Sequence, residues 1–407
     1  MAERTTTTFL ELIHRGVLEI GDGYRAKNSE LDGDGLPFMR AGNLTDQGWK
    51  TDGLERFHGH LADKISGKIS RDGDTVITTK GNSTGRTGYV APGMDPFVYS
   101  PHLSFWRTLD PNQIDARYLR YWAIGPEMVD QLASMAHGTD MAPYLSLTDQ
   151  KRLRISLHEI SQQRTVGRIL GALDDKIAVN ERISATYERL LQCRFVELGL
   201  GDDPDGDSVI PITDLITFGP KLGKPVAAEP VYVDMAALQT NRAGIPSWAR
   251  REPKSGPRFM NGDTLMARIT PCLENGKTGY VDFMEDGEIG LGSTEFIVLR
   301  SLPGVPSELS YFLARDSRFR EHAIRNMVGS SGRQRVSAAD ASNYAVMAPD
   351  AEQLAAFGKE ASAAFAHMKS LESESRTLAA LRDTLLPQLM SGRIRIKDAE
   401  KIFEDHV

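Results

Sequence analysis

The sequence predicts an α+β chain: two similar mixed α/β domains, each running into a long helix, with the two helices able to pair as a coiled coil. Three observations predict it. Two stretches of text repeat in the same order about half a chain apart. Each copy is followed by roughly 40 residues of helical sequence with heptad apolar spacing. Strand-like and helical runs come in the same order in both copies.

The repeat is read first. "GDTVITTKGNSTGRTGYVAPG" begins at Gly73 and "GDTLMARITPCLENGKTGYVDF" at Gly262, an offset of 189. The GRTGYV at 85–90 and the GKTGYV at 276–281 are offset by 191, so the second copy carries two extra residues between the matches. "GTDMAPYLSLTD" at 138–149 aligns with "GSSGRQRVSAAD" at 329–340, again at 191. Around these lie strand-like runs such as "DTVITT" and "EFIVLR" and helical runs such as "ARYLRYWAIGPEMVDQLASMA" and "ELSYFLARDSRFREHAIRNMV".

The first long helical stretch, 159–198, places Val166, Leu170, Leu173, Ile177, Tyr187 and Leu191 on one stripe, interrupted by Asn180 and Ser184. The second, 349–394, places Leu354, Phe357, Ala361, Ala364, Met368, Leu371, Leu378 and Leu385 on another. Asp350 is the expected N-cap with Gln353 three residues on, and Gly392 the expected stop. Pro387 is expected to kink or end the helix, because an interior proline costs about 3 kcal/mol. A helix of about 40 residues is about 60 Å long, too long for a compact domain to bury its stripe. Two such stripes bury each other, and an Asn at a seam position sets register. The domain plan is therefore 1–158, helix 159–198, linker and second domain 199–348, helix 349–394, and tail 395–407. The linker "GLGDDPDGDSV" alternates Asp203, Asp205 and Asp207, but Ser208 and Asp214 occupy the Gly and Glu positions of a calcium loop.

Composition sets outer limits. The chain has 407 residues, 40% hydrophobic and 25% charged, which suits a chain with large cores. No apolar run approaches a membrane span, the N-terminus lacks a secretory core, and the two cysteines have no ligand spacing, so a cytoplasmic protein with reduced thiols is expected. The net charge of −7 argues against a wholly basic surface but not against local basic faces. Arginines cluster at 242–258 and at 315–335.

Gly276-Lys277-Thr278 matches the end of a phosphate-binding loop. The full motif needs Gly five residues before Gly276, where Pro271 stands, and a helix afterwards, where Gly279-Tyr280-Val281 reads as a strand. The matching Gly85-Arg86-Thr87 has arginine for lysine, so both read as hairpin turns. No dinucleotide fingerprint, zinc-protease helix or serine elbow is present. No catalytic residue, metal ligand or cofactor site is expected in this chain.

The residues "SQQRTVGRILGALDDKIAVNERISATYERLLQ", "ESRTLAALRDTLLPQLMSGRI" and the paired domain motifs give the whole chain a resemblance to the specificity subunits of type I restriction–modification enzymes. That resemblance implies two target-recognition domains, each reading half of a split site in double-stranded DNA. It implies that the long helices pair antiparallel as a spacer and dock two methyltransferase subunits, which bind S-adenosylmethionine. Restriction motor-nuclease subunits are expected to join them. The chain itself is expected to be the non-catalytic reader.

DNA reading calls for base-edge contacts by Arg to guanine and by Asn or Gln to adenine, with cations on phosphates. The expected contact residues are Lys80, Asn82, Thr84 and Arg86 in the first domain. In the second they are Arg268, Asn275, Lys277, Arg333 and Arg335. Arg250 and Arg251 are secondary candidates. The rival readings are a helical scaffold without DNA reading and a nucleotide-binding enzyme using the Gly276-Lys277-Thr278 turn.

Overall fold

Each domain grows from the phrase Gly-Asp-Thr. Gly73 and Gly262 hold φ of +88° and +87°, in the left-handed region that favours glycine. The chain then enters the strand Thr75–Thr78 in one case and Thr264–Ala267 in the other. The aspartate between caps its own turn. Asp74 accepts the Arg71 N–H at 2.9 Å, and Asp263 accepts the Met260 N–H at 2.8 Å. Each carboxylate also takes a forked arginine from the neighbouring strand. Arg107 donates Nε and Nη2 to Asp74, both at 2.7 Å, and Arg300 donates the same atoms to Asp263, both at 2.6 Å. Both aspartates are 0% exposed.

The computed structural model describes residues 4–45, 48–136, 144–201, 208–252, 255–330 and 332–404. The linker aspartates 203, 205 and 207 lie outside them, as do 138–143 and Ser331 of the matched loops. The chain divides into two compact units, Met1–Lys176 with Thr377–Val407, and Ile177–Arg376. Both therefore combine a domain with portions of both long helices.

In the first unit the strands Leu18–Asp22, Leu103–Thr108, Thr75–Thr78 and Thr87–Tyr89 lie side by side in that order, all antiparallel. In the second, Ile216–Phe218, Phe296–Ser301, Thr264–Ala267 and Thr278–Tyr280 repeat the arrangement. Register agrees as well: Thr75 faces Tyr89 and Thr264 faces Tyr280. The two added residues therefore sit at the hairpin end. A second sheet covers one face, with a parallel pair in each unit, Phe38–Met39 on Val98–Tyr99 and Val231–Val233 on Gly290–Gly292.

Period-two alternation divides each central sheet between two cores. In the second unit Leu265 and Val298 face the second sheet with Val233 and Phe259. Met266, Ile297 and Leu299 face the helix Leu309–Arg315 and the long helices, with Leu191, Phe195, Phe357 and Phe365. In the first unit Val76 and Phe105 face the second sheet. On the other face Trp106 meets Phe9 edge-on at 5.0 Å and Trp122 at 5.9 Å. The matched SLTD and SAAD are helix starts. Ser146 caps Leu147–Arg152 and Ser337 caps Ala338–Ser342, each serine accepting the N–H three residues on.

The long helices run Ile160–Glu197 and Ala351–Ser391 and pair antiparallel. In the first unit Asp174 meets Arg382 at 2.7 Å. In the second Asn180 meets Glu374 at 2.6 Å, Tyr187 meets His367 at 3.2 Å, and Arg194 meets Glu360 at 3.6 Å. Val166, Leu170, Leu173, Leu191, Phe357, Met368, Leu371, Leu378 and Leu385 are buried. Ile177 is partly exposed, and Tyr187 and Leu354 pack at the edge of the core. Asn180 is 2% exposed and also donates to Ser375 Oγ at 3.2 Å. Asp350 Oδ1 accepts the Gln353 N–H at 2.9 Å, and Gly392, φ +69°, follows the last helical residue.

Pro387 neither ends the helix nor marks its boundary; the helix continues to Ser391. Burial of Leu385, Leu386, Leu389 and Met390 on both sides of the proline offsets its missing hydrogen bond. Beyond it, part of the expected tail forms a helix, Ile396–Glu404, which buries Ala399 and pairs Glu400 with Arg168 at 2.5 Å. No helix among the described residues is long and apolar enough to cross a membrane.

Removing one partner of a buried ion pair costs about 3–5 kcal/mol, because the other charge is left stranded. Asp74→Ala is therefore expected to destabilise the first unit by about that amount in urea unfolding. Asp263→Ala should cost less, since the Arg300 side chain is 27% exposed and water can take up its charge, against 7% for Arg107.

Candidate nucleic-acid interface

The hairpin end of each central sheet is where the expected contact residues lie. The ladder closes there on the residue after the turn glycine. Thr78 N–H donates to Arg86 O at 2.9 Å, and Ala267 N–H donates to Lys277 O at 3.0 Å. Gly85 and Gly276 hold φ of +91° and +72°, so the GRT and GKT triplets are matched left-handed turns leading into strands. A phosphate loop would open into a helix instead.

A loop from elsewhere in each unit then joins the hairpin. Leu145 N–H donates to Thr79 O at 2.9 Å, and Lys80 bridges Tyr144. Val336 N–H donates to Arg268 O at 3.0 Å, Thr270 N–H to Gln334 O at 3.1 Å, and Ile269 bridges Arg335. The repeat thus brings together the hairpin 78–86 with residues 144–145, and the hairpin 267–277 with residues 334–336.

The individual side chains divide into two sets. Lys80 and Asn82 are exposed on the first hairpin, and Asn275 and Arg333 are exposed in the second unit. The others are half-buried and take part in local structure. Thr84 Oγ1 donates to Gly81 O at 2.7 Å, Arg86 Nη1 to Leu44 O at 3.1 Å, and Lys277 Nζ to Met235 O at 2.8 Å. Arg335 forks onto Glu295 with contacts of 2.8, 2.8 and 3.1 Å. Arg268 has its Nε buried with no hydrogen-bond partner among the described residues.

The wider arginine clusters are mostly committed elsewhere. Arg250 pairs with Glu288 at 2.7 Å, and Arg251 stacks over the Tyr232 ring at 3.2 Å. Arg242 pairs with Glu181 at 3.3 Å, Arg315 donates to Thr240 O, and Arg318 donates to Gly201 O. These contacts lie within the second unit and hold its loops and helices.

Glu295 and Tyr144 were not singled out from the sequence. Arg335 hydrogen-bonds Glu295 and holds its carboxyl below the usual range, against partial burial. Tyr144 is 64% exposed. The signal for both lay in the repeat: each sits at, or one strand away from, the matched loop residues, and an acid or a large exposed aromatic there stabilises no core.

Comparison with known proteins bears on this arrangement. No protein-family model matches the chain. It is 27% identical over 212 residues to the type I restriction enzyme EcoEI specificity subunit of Escherichia coli, covering 50% of this chain and 35% of that one. It is 29% identical over 141 residues to the EcoAI specificity subunit of the same organism, covering 33% and 23%. The chain thus spans about a third or less of the length of these relatives. The S subunit of the type I restriction–modification system of M. genitalium shares the fold, with a TM-score of 0.54 at 16% identity, over 95% of this chain and 96% of that one. The fold class is that of two mixed domains joined to an antiparallel helix pair. Within it, the chain is related to the specificity subunits of type I restriction–modification enzymes.

The turn geometry yields a direct expectation for Lys277. Wild type and Lys277→Ala should show the same lack of saturable ATP binding in isothermal titration. The variant loses one hydrogen bond to a backbone carbonyl, at a cost of about 1 kcal/mol in thermal stability.

Proposed function

We propose that the chain is the non-catalytic, sequence-reading subunit of a type I restriction–modification complex in the cytoplasm. Residues 1–158 and 199–348 each read one half of a split site in double-stranded DNA. The helices within 159–198 and 349–394 act as spacer and dock two methyltransferase subunits. S-adenosylmethionine belongs to those partners, and motor-nuclease subunits complete the restricting assembly.

One observation carries this reading. Two copies of one scaffold, matched in strand order and in the pairing of the strand that enters the hairpin, present different polar side chains at the same hairpin-and-loop rim. A split site needs two readers of common architecture and separate chemistry. Lys80, Asn82, Asn275 and Arg333 are the exposed candidates for DNA contact, with Arg268, Arg335, Thr84, Arg86 and Lys277 behind or beside them. In this assignment phosphate contacts hold the register and base-edge contacts select the site.

The test is to express the chain with its methyltransferase partner and map modified bases across the host DNA. A split motif is expected, and exchanging residues 1–158 for the first domain of another such subunit should change one half only. A target unchanged by that exchange rules the reading out. In the assembled complex DNA affinity should fall steeply with salt, since each phosphate neutralised contributes about 0.9 to the log–log slope. Tight partner binding with no such dependence would favour the scaffold reading.

A further inference from the structure

We infer that three equivalent rim positions, Thr79, His102 and Tyr144 in one unit and Arg268, Glu295 and Arg335 in the other, give the two readers different base preferences, and that the second trio reads a G·C pair. The inference rests on the DNA-reading proposal above and deepens it.

The equivalence is carried by backbone bonds. Thr79 N–H donates to His102 O at 2.9 Å, as Arg268 N–H donates to Glu295 O at 3.0 Å. Leu145 N–H donates to Thr79 O at 2.9 Å, as Val336 N–H donates to Arg268 O at 3.0 Å. Tyr144 and Arg335 each bridge the residue that follows the first member of their trio. The three positions therefore hold the same places on the same scaffold.

Their chemistry is unrelated. Thr79 is buried, His102 is exposed and Tyr144 is 64% exposed. In the second unit the trio is two arginines and a carboxylate. Positions that keep their backbone bonds but change from neutral to ionic are not set by packing. They lie where the hairpin and the loop meet the exposed Lys80 in one unit and the exposed Arg333 in the other.

The second trio has the complement of a G·C edge. In the major groove guanine offers two acceptors, N7 and O6, beside the cytosine amino donor. Arg335 uses Nε and one side of Nη2 on Glu295, and Nη1 also donates to Arg333 O at 3.2 Å. A guanidinium has five N–H donors, so one remains on each terminal nitrogen, in the forked geometry that suits guanine. Glu295, kept ionised, is the acceptor alongside for the cytosine amino group. Arg268, with Nε unpartnered and buried, adds a positive charge behind the pair.

The experiment uses the assembled methyltransferase complex and maps modified sites genome-wide. Wild type should modify a split motif containing G·C at a fixed position in the half assigned to 199–348. The double variant Glu295→Gln with Arg335→Met should relax that one position by roughly tenfold or more, the discrimination a good bidentate contact supplies. His102→Ala should relax one position of the other half only. Arg335→Lys keeps a charge opposite Glu295 but loses the fork, and should relax the same position as the double variant; it decides the matter if the double variant does not assemble. Assembled variants that modify DNA with wild-type preference at every position, or weaken all positions equally, overturn the inference and leave a latch between loop and hairpin. If wild type modifies no split motif, the DNA-reading proposal itself fails, a distinct result.

Discussion

A carboxylate held at the mouth of a glycine turn organises each domain. Asp74 and Asp263 are shut off from solvent, and each ties its own turn to an arginine on the neighbouring strand. A buried charge is tolerable only when paired and hydrogen-bonded, and these are satisfied by a forked guanidinium and a backbone amide. Asp74 takes the Tyr99 hydroxyl as well, at 2.8 Å. Charge satisfaction of this kind has one solution in register. A slip of one residue would turn Arg107 or Arg300 to the opposite sheet face and strand the aspartate. With register set, the far ends of the strands arrive at the same place in both domains, and the hairpin and loop meet there.

The helices use half-buried acids in a similar way. Asp174 accepts from Arg120 and the Tyr121 hydroxyl, both at 2.6 Å, joining the first domain's helix to the long-helix pair. Glu188 accepts the Ala243 N–H at 2.7 Å and the Tyr311 hydroxyl at 2.8 Å; burial pushes its carboxyl up against those bonds. Small residues make the contact close. A Cβ on Gly167 would lie 2.8 Å from Asp115 Oδ1, and one on Gly358 would lie 2.6 Å from Pro306 Cγ. Glycine in a helix interior costs about 1 kcal/mol, and here it permits each preceding domain to seat against its helix.

Periodic and repeated features were legible in the residues alone. The doubled domains, the two helical stripes, the Asp350 cap and the Gly392 stop follow from patterns a few residues wide, and local physics is enough to read them. The GRT and GKT turns were recognisable because the first copy, with arginine for lysine, contradicted the phosphate-loop reading of the second. Long-range partners were not legible. Nothing near Gly-Asp-Thr announces Arg107 or Arg300, which stand more than 30 residues away. The engagement of Lys277 by Met235 O and of Arg335 by Glu295 is likewise a product of tertiary folding. Pro387 does not end its helix because helix propensity is a local preference, and four buried neighbours carry the helix on to Ser391. The candidate rim was legible as a region, through the repeat, but not residue by residue.

The two residues added to the second hairpin carry a lesson about inheritance. The sheet beneath them keeps its pairing, because an insertion beyond the last ladder bond moves no strand. The rim can therefore differ in length and chemistry between the copies while both keep the buried aspartate–arginine pair. A duplicated ancestor with this division of labour could acquire a new partner preference in one copy without refolding either. In this chain the two rims differ in length and side chains, and the same aspartate–arginine pair lies beneath each.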